Sequence, residues 1–143
     1  MQPWASLIAL GEKKFETRSW RTNYRGELAI HASKKIDRTA CKMTPIVQTL
    51  NKHSIVLLND LPTGMIIATC NLEGCYEVMT EDGESAILEG WNKFVFDNEY
   101  NFGDFSEGRF AWELSNIRTL NKPIQAKGQL GLWNFKEGLI MNE

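Results

Sequence analysis

Trp4, Leu7 and Ile8 fall at i, i+3 and i+4, the spacing that puts apolar side chains on one helical face, and they predict a short helix over Pro3–Leu10. Pro3 suits its first turn, where a missing N–H costs nothing, and Gly11 suits the left-handed position past its end. The period then changes to two. Between Lys14 and Trp20, Phe15, Thr17 and Ser19 alternate with Glu16, Arg18 and Trp20, which predicts a strand whose first set points inward and whose second set lines the outer face. Asn23–Gly26 reads as a turn. Glu27–Ala32 alternates again, with Leu28 and Ile30 on the inner face and Ala29 and His31 opposite.

Asp37–Lys52 has helical character broken at Thr44-Pro45, an N-cap followed by proline at the first helical position, so two short helices are expected. Leu61–Gly64 is a turn leading into a strand over Met65–Leu72, which continues after a bend at Gly74 into Cys75–Met79. Thr80–Gly108 is the least regular stretch. It holds Trp91, Phe94, Phe96, Tyr100, Phe102 and Phe105, and these aromatics are expected to cap one end of the core. Arg109–Leu114 reads as a further strand and Ile124–Leu132 as the last strand or pair. Five or six short strands interleaved with short helices lack the regular alternation of a parallel sheet. The pattern predicts an α+β fold, one domain over residues 1–143: a small mixed or antiparallel barrel with short helices closing its ends.

Composition adds bounds. The 143 residues, 43% of them hydrophobic, suit one globular domain with a single substantial core. Apolar runs such as Ser54–Leu58 are far shorter than the ~20 residues of a membrane span, and Met1–Trp4 lacks the basic start of a signal peptide. A soluble, cytoplasmic protein is expected. Cys41, Cys70 and Cys75 are odd in number and, with His31 and His53, form no metal motif, so reduced structural thiols and no cofactor are expected. The net charge of −2 argues against a nucleic-acid binder, but its distribution does not. Residues 1–42 carry nine basic and four acidic groups, an excess of +5, leaving −7 for the rest. Ten carboxylates face the single Lys93 between Glu73 and Glu107. This asymmetry creates a local positive field or, equally, two differently charged solvated faces.

The chemistry concentrates at Gly11–Arg18. On the strand, Glu16 and Arg18 share a face, ~7 Å apart along the chain. With Lys13 they would hold an anionic or amide-bearing ligand, Arg18 gripping phosphate in bidentate fashion. A partly desolvated Lys13 would serve as base or nucleophile near neutral pH. The same residues also describe an ordinary half-exposed strand face. Trp4, Trp20 and Trp112 are candidates for stacking on bases, and each equally makes a core residue. Arg21, Arg25, Lys34 and Lys35 suit phosphates, although Arg25-Gly26 also reads as a structural turn. His31 reads as a base contact or a satisfied barrel histidine.

Residues Gln2–Ile8, the spacing G-x-K-x-x-E-x-R at Gly11, Lys13, Glu16 and Arg18, the runs Ser19–Thr22, Tyr24–Gly26 and Ile30–Ser33, and the ending Gly128–Trp133 together resemble the activating-signal-cointegrator homology (ASCH) family. The resemblance implies a PUA-like barrel with a cleft at the first helix and signature strand, used for RNA or nucleotides. One bacterial branch hydrolyses N4-acetylcytidine with a lysine, a threonine and a glutamate. Lys13 matches that lysine, whereas Glu16 stands where the threonine would be, and Thr17 is one residue on. Glu113 is the carboxylate that would complete a catalytic set with Lys13 and Glu16. Three functions follow: an RNA- or nucleotide-binding module, a small hydrolase acting on a modified nucleoside or on RNA, and a protein-interaction domain using segment 73–107.

Overall fold

The computed structural model describes residues 1–129, 131–134 and 140–142. Helix α1 (Trp4–Ala9) leads through Gly11, in the left-handed region at φ +78°, into strand β1 (Phe15–Arg18) and then β2 (Gly26–Ala32). A 3-10 turn at Ala40–Lys42 precedes helix α2 (Thr44–Lys52), and the break expected at Thr44-Pro45 is there. Met43, not Thr44, is the residue before the first helical turn, and it makes no side-chain cap. Strand β3 (Met65–Glu81) is followed by β4 (Ser85–Leu88), β5 (Phe94–Phe96), helix α3 (Asp97–Asn101), β6 (Phe110–Gln125), β7 (Leu132–Asn134) and β8 (Ile140–Asn142).

The sheet runs β1-β6-β3-β2-β8-β7, antiparallel except for the parallel pair β2–β8, with β4 and β5 added beside the far half of β3. The two strands at the ends of this path do not pair with each other among the described residues, so the mixed α+β sheet curls without closing fully, in keeping with a PUA-like fold. Curvature comes from β3 and β6, of 17 and 16 residues, whose pairing shifts register at Ile66/Ala68, Thr69/Asn71 and Leu72/Gly74. Each shift bends the ribbon and increases its twist. The bend expected near Gly74 is one of these. The strand expected at Arg109–Leu114 is the first part of a far longer one, which also absorbs Ile124. Leu130, inside the expected last strand, lies outside the described residues.

One core packs α1 against the sheet, with Ala5, Ile8, Leu28, Ile30, Leu72 and Trp112 buried together. A second joins α1 to α2 through Leu7, Ile46, Leu50 and Leu61, and Phe102 inserts into it. Val78, Leu88, Val95 and Phe105 form a third around β4 and β5. The aromatic segment thus divides. Phe102 and Phe105 are buried as expected, but Trp91, Phe94 and Phe96 are 94%, 54% and 60% exposed and cap nothing. The pleat explains this: Val95 faces the third core, so its neighbours Phe94 and Phe96 face out.

Glu12 clamps the α1–β1 turn to the end of α2, meeting Lys52 Nζ at 2.7 Å and His53 Nε2 at 2.9 Å. Those two partners hold its carboxyl below the usual 4.5. A depressed carboxyl stabilises the fold above 4.5, and the contribution is lost as pH falls through the folded-state value. Glu12→Gln is therefore expected to cost about 0.5–1 kcal/mol in urea unfolding at pH 7 and to cost nothing once the wild-type group is protonated in acid. An equal loss at both pH values would contradict this account. No helix among the described residues is long and apolar enough to cross a membrane.

Candidate functional site: a buried lysine in a mixed-charge cavity

Lys13 follows Gly11 by two residues, and the chain reversal there turns its side chain into the protein. It is 1% exposed, among the largest fully buried side chains. Its Nζ donates to the carbonyl of Phe15 at 2.6 Å and to the carbonyl of Phe102. Glu16 Oε1 lies 3.9 Å away, and the Trp4 ring centroid 5.6 Å. Burial pushes the ammonium below its ordinary 10.5; the carboxylates of Glu16 and Glu99 oppose that shift and the Arg18 guanidinium reinforces it. Glu99 in turn accepts from the backbone N–H of Lys14 at 2.8 Å and of Phe15 at 3.3 Å. Burial raises its carboxyl above 4.5 against those two bonds.

These groups open onto a cavity of about 500 Å³ between α1, β1 and the turn after α3. Lys13, Glu16 and Arg18 line it together, as the sequence suggested, with Trp4 on the helix side. Its far wall is Asn101–Asp104 and Arg109, which the sequence did not single out. The one hint was the mixture of apolar and acidic residues in that segment: buried Phe102 anchors it and delivers its carbonyl to Lys13. Thr17 also lines the cavity, whereas strand alternation had turned it away. The strand runs along the cavity rim, so the pleat does not exclude it, and its hydroxyl accepts from the Asp104 N–H at 3.1 Å. Arg109 closes the corner, its Nε 3.4 Å from Asp104 Oδ2. Lysine and arginines are matched by Glu16, Asp37 and Asp104, so the lining is mixed in sign.

The other expected site residues lie elsewhere. Trp112 is fully buried in the main core, with Arg18 over its ring at 5.9 Å, and offers no face to a base. Trp20 lies beyond the end of β1, 38% exposed and edge-on to Trp112 at 4.8 Å. Arg21 is taken up by Glu89 at 2.6 Å and Glu77 at 3.9 Å, and Arg25 donates to the carbonyls of Thr22 and Tyr24, the structural-turn alternative. Glu113 pairs across from Phe15, one residue out of step with Glu16, and so projects from the opposite face, where Lys93 holds it at 3.1 Å. Geometry therefore does not bring it to Lys13. His31 is buried, Nε2 2.8 Å from the Ala126 carbonyl, at a different cavity.

A curled, mainly antiparallel sheet whose first helix and first strand wall a ligand-sized cavity defines a PUA-like domain. The chain belongs to the ASCH domain family, whose match covers residues 1–124. It is similar to Activating signal cointegrator 1 of Homo sapiens, 34% identical over 76 residues, which are 52% of this chain and 13% of that protein. It is equally similar to Activating signal cointegrator 1 of Mus musculus, 34% identical over 99 residues, 66% of this chain and 17% of that protein. The chain thus spans only a small part of the length of these relatives.

Proposed function

We propose that this domain binds RNA by taking one nucleotide unit into the cavity at Lys13. The observation that carries the reading is the convergence of a buried amine, a carboxylate and a guanidinium on one hollow with an indole at its edge. A mixed-sign lining suits the donor and acceptor edges of an unstacked base better than it suits a bare polyanion. A volume of about 500 Å³ falls in the range of small-molecule sites. Trp4 supplies an aromatic face and Arg18 a fork for phosphate. Arg18→Ala is expected to weaken binding of uridine monophosphate about tenfold, the loss of one charge-assisted contact of ~1.5 kcal/mol. Titration at fixed salt, with melting checked, reads this out. Unchanged affinity in folded Arg18→Ala and Glu16→Gln would remove the cavity as the site. Arg21→Ala, whose partners are Glu77 and Glu89, is the matched control and should leave affinity unchanged.

A hydrolase is the second reading, favoured by Lys13 itself. Both carbonyls only accept, so an amine that has lost a proton still satisfies them with its two hydrogens and keeps a lone pair. Burial favours that neutral form. Such an amine would draw a proton from water attacking an acetyl amide, releasing acetate and the free base. Incubation with N4-acetylcytidine should then yield cytidine above a Lys13→Met control, and no turnover would dismiss the reading.

A further inference from the structure

A second cavity, of about 810 Å³, lies at the end of β2. Three chain segments wall it: the end of β2 with Ser33–Lys35, the turn Thr63–Met65, and Gln125–Gly128. Backbone bonds lock them together. Gly64 N–H donates to the Ala32 carbonyl at 2.6 Å, and Ala126 N–H to the Gly64 carbonyl at 3.1 Å. His31 Nε2 adds its bond to the Ala126 carbonyl, fixing the floor. Gly64 sits at φ +67°, and the stem of Lys34 packs against it, its Cε and Cγ at 3.5 and 3.6 Å, ordinary contact distances, from where a Cβ would stand. Lys34 is thereby laid along the rim.

The electrostatics here differ from those at Lys13. Lys34, Lys35 and Lys127 line the cavity; among the described residues no Asp or Glu shares that lining and none of the three makes an ion pair. On a chain of net charge −2, three unneutralised ammonium groups around one hollow mark a site for anions. The buried polar side chains of His31 and Ser33 line the same hollow. The two cavities are also neighbours. Gln2 N–H donates to the Lys35 carbonyl and the Asp37 N–H to the Gln2 carbonyl; Lys35 lines the basic cavity and Asp37 the mixed one. Only Ile36 lies between Lys35 and Asp37, which places the rims ~7 Å apart if the chain is extended.

We infer that the Lys34–Lys35–Lys127 cavity is a phosphate-binding site that holds the sugar–phosphate backbone of the same single-stranded RNA whose nucleotide enters at Lys13. This rests on the proposed function and adds to it a division of labour: the Lys13 cavity takes one nucleotide with its phosphate, and the other grips phosphates of the adjoining strand. Binding a strand here releases counterions, and for single strands the slope of log K against log salt is about −0.7 per phosphate contacted.

The test titrates a uridine oligomer and uridine monophosphate against wild type, the exposed-site triple variant K34Q/K35Q/K127Q, and Arg18→Ala, over a range of salt. In the triple variant the oligomer's slope should become shallower by about 2, while monophosphate binding is unchanged. Arg18→Ala should weaken both ligands. An unchanged slope in the triple variant, with Arg18→Ala still weakening both, overturns the inference and leaves the Lys13 reading standing. Loss of oligomer binding in the triple variant alone, with Arg18→Ala without effect, upholds the basic cavity and removes the Lys13 site. Failure of wild type to bind the oligomer even at low salt overturns both.

Discussion

Trp112→Ala is expected to lower stability by about 3–5 kcal/mol, a large share of the ~5–15 kcal/mol that holds a small domain together. Trp112 is fully buried, centres the main core, and donates its Nε1–H to the Trp20 carbonyl at 3.4 Å. It faces the same way as Glu16, its partner across the β1–β6 pair, so the loss would also loosen the cavity wall. Replacement by alanine removes the whole indole and leaves a void that the long strands cannot close. Trp20→Ala, at a 38% exposed position, should cost far less. Urea unfolding of both variants reads out the contrast. A Trp112→Ala protein of unchanged stability that no longer binds RNA would instead make this indole a stacking platform.

The second large effect belongs to Lys13. Lys13→Met keeps the bulk but strips donors from the carbonyls of Phe15 and Phe102, at about 1–3 kcal/mol each when buried. Relief of the buried charge offsets part of that, for a net loss of ~2 kcal/mol. A pH signature separates the two contributions. Because the folded-state value of Lys13 lies below 10.5, the unfolded chain binds more protons between the two values. Wild-type stability should therefore rise with pH between the folded-state value and 10.5, and below that window the burial penalty is fully present. The methionine variant should lack that rise. An identical pH profile in both proteins would show that Lys13 carries no shifted titration.

Much of the fold was legible because local signals agreed with it. The α1 stripe, Gly11, the two period-two runs and the Thr44-Pro45 break all rest on contacts between near neighbours in sequence, and all are present. β3 was read nearly whole, its continuation past the bend at Gly74 included, but the length of β6 was not legible. Its pairing with β3 slips between Thr119 and Ile124, so one long bent strand reads as two short separate ones. At the site, Lys13, Glu16 and Arg18 were recoverable because they sit within one turn and one strand. Phe102, Asp104 and Arg109 were not, since only the packing of Phe102 against α1 and α2 brings them across. Glu113 illustrates the converse error. Chemistry nominated it, but being opposite Phe15 and not Glu16 put it on the wrong face, and pairing register is invisible in one strand's sequence.

Backbone and indole NMR shifts recorded while uridine monophosphate is added would test the Lys13 cavity most directly. The Trp4 indole and the amides of Thr17, Gly103 and Asp104 should move together and saturate, with the exposed Trp91 indole unmoved. Shifts confined to other surfaces, or none at saturating ligand, would contradict a nucleotide site at Lys13.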